Sequence, residues 1–428
     1  MKQKLLFFLI SFFSLNLSAT HFLGGDITWK CNTNLSSADY GKYTFTLTVY
    51  QDCVSSFNFN DPEYITVHGN GTAYDITLGL DSTNDISPIG IAGSGTCYNC
   101  DNQPFGATGA VMQWNYSSVP ISINGTPPAT GWHFTWNSTA RSNSITNLTS
   151  PGSQGFLLRA IMYPYIDING NVLPANGICH DNSPIFKEQA KSILCTGYPF
   201  SYSHLAFDVE LDSLSYSWAE PLNNDIVTYD PLNPNADAVD WEAPYSANMP
   251  IPGNPTLNNQ NGEISFQSFI QGSFVTCVKV GAFKCGQVVA EVFREVQVFL
   301  KDCGTLPNGA QNSPPIITAP LGSQNWITYL NPSTGLPSYE TTIMAGEVVS
   351  FSVIANDNDI NSTGNLQSLS LEVVGGQLDP AYALSNPATF TVISSSPGNI
   401  SGDFLWESNC DHMQDYGCGR QGGAFTFN

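Results

Sequence analysis

The chain has 428 residues, of which 13 are Lys or Arg and 35 are Asp or Glu, giving a formal charge of −22 at pH 7. That balance argues against a nucleic-acid or anionic-membrane partner, because such surfaces are held by clustered Lys and Arg that neutralise phosphate. Hydrophobic residues make up 42% and aromatics 12%, which excludes a disordered chain and supplies several cores at about 100 to 200 residues per domain.

Residues 1–19 read as a secretory signal: Lys2 and Lys4 precede an apolar stretch over 5–17, and Ser18-Ala19 gives a small-residue cleavage context. An apolar run of about 13 residues is too short to cross roughly 30 Å of hydrocarbon as a helix. No later stretch is long and apolar enough to cross either, so the expected product is secreted or displayed at a cell surface. Beyond the signal, strand patterns dominate. Residues 42–50 (KYTFTLTVY) alternate strictly, placing Tyr43, Phe45, Leu47 and Val49 on one face and threonines on the other. Comparable runs lie at 64–67, 74–80, 131–136, 156–162, 214–218, 274–283, 288–300, 348–354, 368–374 and 388–393, while 186–194 has weak helical character. Short strands separated by Gly, Asn and Pro predict an all-β protein of tandem Ig-like or PKD-like β-sandwich domains. Clusters of turn-forming residues divide the mature chain into an N-terminal module (20–185), a second sandwich (186–304), a Pro-containing linker (305–315) and a third sandwich (316–428). Residues 425–428 read as an interrupted strand, so the third unit is expected to be incomplete.

Export makes the 11 cysteines disulfide candidates rather than metal ligands, and the odd count leaves one without a partner in this chain. Cys97 and Cys100 are expected to close a local loop, as are Cys410 and Cys418. Cys195 opens the second unit and Cys303 closes it, and first and last strands of a sandwich are often neighbours, so these two form the expected bridge there. Cys277 and Cys285 lie along one predicted strand. Eight residues of strand span roughly 26 Å, whereas bridged α-carbons need about 4.4 to 6.8 Å, so these two should not pair. Cys179-His180 and Cys410-Asp-His412 each set a His beside a Cys, a weak metal signal.

Two acidic clusters stand out. Asp208, Glu210 and Asp212 are spaced at i, i+2 and i+4 ahead of a strand, and Asp357 and Asp359 repeat a shorter version. Spacing by two puts carboxylates on one side of an extended segment, and calcium takes six to eight oxygen ligands of this kind. These five residues are therefore the candidate calcium ligands; the competing reading is solvated turns, which Asp favours by bonding its own backbone. Catalytic signatures are missing: no G-x-S-x-G, H-E-x-x-H or phosphate-binding Gly-rich loop occurs. A glycoside hydrolase needs only two suitably separated carboxylates, and Trp132 and Trp136 could form a sugar platform, although aromatics alternating along a strand are more often core.

The segment from Ala19 through Gly24-Gly25-Asp26 to Trp29, followed by 42–53 ending at Cys53, resembles the opening module of large Bacteroidetes surface proteins associated with gliding motility and type IX secretion. The second unit is similar to the PKD-like or cadherin-like repeats of those proteins, through Cys195 to His204, the acidic 208–214, Gly262-Glu263, Gly272-Ser273-Phe274 and Arg294-Glu295 to Cys303; 312–410 resembles the next repeat. The family's acidic turn usually reads D-x-D-G-D-S-L, whereas here Glu210 replaces an Asp and Leu211 the Gly. The resemblance implies a non-enzymatic adhesion or scaffold segment whose partners are cell-surface proteins or glycans. Its alternatives are a secreted carbohydrate-binding protein or the accessory stalk of a polysaccharide-degrading enzyme.

Overall fold

The computed structural model describes residues 22–427 apart from 54, 56–58, 70, 88–99, 102–108, 140, 175–177, 191–192, 224–228, 303–311, 361–363, 381–384 and 416. The expected signal, Cys97, Cys303 and most of the expected linker lie outside the described residues. Among the described residues the structure is all-β, with several antiparallel sheets and no α-helix. The weakly helical 186–194 instead runs into the short strand Ile193–Cys195.

Seven strands open the fold: β1 (Phe22–Cys31), β2 (Tyr43–Asp52), β3 (Glu63–Gly69), β4 (Thr72–Asp85), β5 (Val111–Ser118), β6 (Trp132–Ser138) and β7 (Phe156–Met162). Their spatial order is β1-β2-β5-β4-β3-β6-β7. The alternation over 42–50 decides the faces: Tyr43, Phe45, Leu47 and Val49 are buried and the intervening threonines half-buried. Trp29 stands opposite Phe45 and Ile27 opposite Leu47. Trp132 and Trp136 are each only 2% exposed and belong to this same core, so neither is a sugar platform. The Trp136 indole N–H donates to Glu63 Oε2 at 3.0 Å, satisfying its polar atom inside.

Three further strands, β8 (Ser213–Trp218), β9 (Gly272–Lys284) and β10 (Gln287–Lys301), together with the short strand Ile193–Cys195, complete the eleven-stranded main sheet. Along one edge β10 pairs with β9 throughout. Its other edge pairs first with β7 at 290–292, then with β1 at Glu295 and Val296, then in parallel with Ile193–Cys195. Since β1 and β7 are the two ends of the seven-stranded run, β10 closes that run on itself. The sheet therefore crosses the boundary expected at 185/186, and the two units expected as separate sandwiches share both sheet and cores. Ala282, Val289, Ala290 and Val292 pack among the β1–β7 side chains. Leu23 and Tyr50 pack with Phe274, Val278 and Val296 under a small sheet containing Pro199–Ser203 and Glu263–Gln267. The physical reason is visible in β10, whose residues are buried on both faces from Val289 to Leu300 apart from half-buried Glu291; it has no solvent face to present. Gly24 and Gly25 make the junction possible. A Cβ on Gly24, whose φ is +132°, would collide with the Glu295 carbonyl, and one on Gly25 with the Thr48 carbonyl.

Burial on both faces leaves Arg294 and Glu295 inside the protein, and each is met by a charge from elsewhere. Glu295 pairs with Arg141, whose side chain is fully buried and whose Nε also donates to the Gly155 carbonyl at 2.8 Å. Arg294 lies with its Nε 3.3 Å from Asp26 Oδ2 and donates to the Tyr50 hydroxyl and, at 2.8 Å, to the Glu188 carbonyl. Coulomb attraction and these hydrogen bonds offset a desolvation cost of several kcal/mol per ion.

The third unit carries its own sheet, β11 (Val348–Asn356), β12 (Thr389–Ser396) and β13 (Asn399–Glu407) in the order β11-β13-β12, with Ile316–Ile317 and Leu321–Gly322 on the far edge of β11. Its core is small: Val349, Ala388, Phe404 and Trp406, covered by Phe425 and Phe427. Residues 368–374, expected as a strand, join no sheet. The Gly375-Gly376 pair that follows brings the chain against Phe207, where a Cβ on Gly376 would strike the ring.

Three disulfides lie among the described residues: Cys31–Cys179, Cys53–Cys100 and Cys285–Cys418, with α-carbons 5.6, 5.0 and 6.0 Å apart. Neither expected local loop forms. Cys100 pairs with Cys53, its amide held by Asp85 Oδ2 at 2.9 Å. Cys418 pairs with Cys285, while Cys410 is free and exposed; the hairpin pairing 413–415 with 420–422 carries Cys418 at its turn and leaves Cys410 before its base. Cys195 is disulfide-bonded. Cys277 is free and buried within β9, away from Cys285 at the strand's end, as the strand spacing requires.

Burial outweighs the opposing pull of Arg294 and Tyr50 and raises Asp26 to about 6 from 3.8. The folded state then holds this proton more tightly than the unfolded chain, so the group's contribution is greatest below the unfolded value and is lost as pH rises towards 6. The fall in urea-unfolding free energy between pH 4 and pH 7 should shrink in Asp26→Asn, by on the order of 2 to 3 kcal/mol at about 1.4 kcal/mol per pH unit; an unchanged slope would refute the assignment. For the disulfide, a protease site introduced at 307–310 should cut the chain into two pieces that migrate together on a non-reducing gel and separate under reductant. In Cys418→Ser the pieces should separate without reductant.

Candidate cation site

Where the main sheet meets the third unit, three segments distant in sequence converge on one buried charge cluster. The first is 179–183, fastened along β1. Cys179 is bonded to Cys31, the Trp29 indole N–H donates to the Asp181 carbonyl at 3.1 Å, the Cys31 amide to Asn182 Oδ1 at 2.6 Å, and the Trp29 amide to Ser183 Oγ at 2.8 Å. The His180 amide adds a bond to the Tyr43 hydroxyl at 2.7 Å. With its backbone held at so many points, the Asp181 side chain is fixed inside the protein, where it is 1% exposed.

The second segment is the acidic turn 208–212 before β8. Asp208 Oδ1 accepts the amides of Glu210 at 2.8 Å and Asp212 at 3.3 Å, folding the turn back on itself. Leu211 adopts φ +62°, a left-handed conformation that costs a non-glycine residue roughly 1 to 2 kcal/mol. The third segment is the tight turn between β9 and β10, where Cys285 (φ +50°) and Gly286 (φ +78°) form the two-residue link. Positive φ at both positions is the geometry of a type I′ hairpin turn, and it delivers Lys284 to the cluster.

Lys284 Nζ lies 2.6 Å from Asp181 Oδ1, 3.4 Å from Glu210 Oε2 and 3.7 Å from Asp212 Oδ2. One carboxylate oxygen from each of Asp181, Glu210 and Asp212 lies within 4.8 Å of the other two, a grouping that could hold a metal ion. Asp208 is also buried and senses the charges of Asp212, Glu210 and Lys284. Four carboxylates thus face one ammonium. Burial, then repulsion among the acids against the attraction of Lys284, holds Asp181 well above the usual carboxylate range, and burial with the same repulsion does so for Asp208. The carboxylates outweigh burial at Lys284 and raise its pKa, so it stays charged.

Of the five predicted ligands, then, the structure brings Glu210 and Asp212 into the grouping. It uses Asp208 Oδ1 to shape the turn. Asp357 and Asp359 stand apart in the third unit and serve local turns: Asp357 Oδ1 accepts the Asp359 amide at 2.8 Å, and Asp359 Oδ2 accepts the Ser313 hydroxyl at 2.9 Å. Sequence reasoning missed Asp181 and Lys284. Lys284 follows Glu210 by 74 residues, and Asp181 lies in a separate segment well before the acidic turn, so no spacing motif links the three. Their only signals were a turn at 181–184 and a Lys before a Cys-Gly. The His residues beside cysteines are used elsewhere, His180 Nε2 with the Gly125 carbonyl at 3.1 Å and His412 Nδ1 accepting the Asn409 amide at 2.9 Å.

No protein-family model matches the chain, and no curated protein is significantly similar to it.

Replacing Lys284 by Met keeps the aliphatic bulk and removes the charge, leaving the buried carboxylates to repel one another. At pH 7 the loss in unfolding free energy should be about 3 to 5 kcal/mol, the range for breaking a buried pair. It should shrink at pH 5, where Asp181 and Asp208 more readily take protons. A loss below about 1 kcal/mol in urea denaturation would show that the ammonium does not hold the cluster.

Proposed function

We propose that the chain is an exported, non-enzymatic segment of a cell-surface protein, serving in adhesion or as a scaffold, with cell-surface proteins or glycans as partners. The observation that carries this reading is the set of disulfides, which join positions 148, 47 and 133 residues apart. Bridges of this kind form and persist outside the reducing cytoplasm. The cross-links and the buried ion pairs tie distant segments of the chain together. The resemblance to Bacteroidetes gliding-associated surface proteins supports the same reading, and the left-handed Leu211 at the family's glycine position agrees with it. No helix among the described residues is long and apolar enough to cross a membrane. Calcium is the metal this hard, all-oxygen donor set suits, as in other extracellular modules.

The test is made in a Bacteroidetes host producing the full gene product with an epitope in the exposed turn at 168–170. Protease added to intact cells should remove the epitope, and deletion of the gene should reduce attachment or spreading on a surface. Protection of the epitope in intact cells, with release only on lysis, would sink the surface role. Cleavage of polysaccharides by the purified protein, abolished by single carboxylate changes, would replace it with an enzymatic one.

A further inference from the structure

We propose that the Lys284 ammonium occupies the seat of a divalent cation, so that calcium and Lys284 engage the Asp181, Glu210 and Asp212 carboxylates in mutual exclusion. This inference rests on the calcium part of the reading above and not on the surface role.

The three carboxylates that group tightly enough to hold a metal are the same three that surround Lys284 Nζ, at 2.6, 3.4 and 3.7 Å. A calcium ion with oxygens at about 2.3 to 2.6 Å would need the same central space. The ammonium also leaves the seat under-used. Asp181 is 1% exposed, yet its Oδ2 has no hydrogen-bond partner although Oδ1 meets Lys284. Asp208 Oδ2 is likewise buried without a hydrogen-bond partner. An ion of twice the charge would compensate the surplus carboxylates more fully than one ammonium. Asp181, Asp212 and Lys284 are buried, so an entering ion would come past Glu210, whose side chain is 30% exposed at the rim, while the backbone of the hairpin end is pinned by the Cys285–Cys418 bridge. Only the flexible four-carbon side chain of Lys284 has to move.

The experiment uses the full chain with Lys284→Ala, which vacates the seat, and the double variant Lys284→Ala/Asp181→Asn. Terbium is the probe, excited through tryptophan, because Trp29 bonds the Asp181 carbonyl and lies beside the seat. Expected are terbium luminescence with at least tenfold tighter binding in Lys284→Ala than in the native protein, displacement by calcium, and a melting temperature that rises with calcium over chelator. Both responses should vanish in the double variant. A Lys284→Ala protein that refolds only with calcium supports the proposal. Binding no tighter than native, a response that survives Asp181→Asn, or a variant that fails to fold even with calcium each overturns it. None of these readouts depends on where the protein resides, so the surface role can stand or fall separately.

Discussion

Most of the structure depends on the enclosure of β10. Because its outer edge meets β7, β1 and Ile193–Cys195 in succession while β9 covers its inner edge, this strand joins the N-terminal strands to the following unit. Hydrophobic burial at Val289, Val292, Val296 and Leu300 drives the enclosure, since each fully buried aliphatic side chain contributes roughly 1.5 to 3 kcal/mol. The enclosure then imposes an electrostatic requirement on the same strand. Arg294 and Glu295 cannot reach water, so the chain must bring Asp26 and Arg141 to them from distant segments, Arg141 from 154 residues away. These pairs do little for net stability against an apolar replacement, but removing either partner strands a buried charge. Both charges find their partners in the arrangement in which the two ends of the first sheet meet on β10.

The buried charge cluster of Asp181, Glu210, Asp212 and Lys284 is a second consequence of the same hairpin. The β9–β10 turn ends beside the acidic turn before β8 and the segment fastened to β1, so the charges of three separate regions are compensated at one point. If 179–183 were to detach, Lys284 would lose Asp181, the carboxylate nearest its Nζ at 2.6 Å; if the hairpin end moved, the acids would lose their ammonium. The Cys285–Cys418 bridge extends the coupling to the third unit, which also touches the main body through Lys187 and Asp379 at 2.5 Å. The small apolar core of the third unit makes such external anchoring more consequential there than in the main body.

Local chemistry was legible in the sequence wherever one short segment contained the whole signal. The alternation over 42–50 identified the buried face of β2, and the run 156–162 coincides with β7. Strand spacing separated Cys277 from Cys285. The acidic turn was recognised at Asp208, Glu210 and Asp212, although the roles within it were not, because backbone bonding by Asp208 and metal-type grouping by Glu210 and Asp212 look alike as spacing. Disulfide partners were illegible for a different reason. Nearness along the chain favoured Cys97 with Cys100 and Cys410 with Cys418, whereas bridging requires α-carbons within a few ångströms of each other, and only the folded sheets decide which cysteines come that close.

By itself the sequence determined the secondary-structure class, the inward face of the clearest strands and the presence of an acidic turn, because each follows from side-chain periodicity and turn chemistry within about ten residues. The tertiary structure alone decided that the first two units form one closed sheet, that Trp132 and Trp136 are core, and that Asp181 and Lys284 complete the charge cluster. Those outcomes depend on which distant strand edges pair and on how buried charges find partners. Both are set by the energy of the whole enclosed assembly, and neither leaves a periodic mark on any single segment.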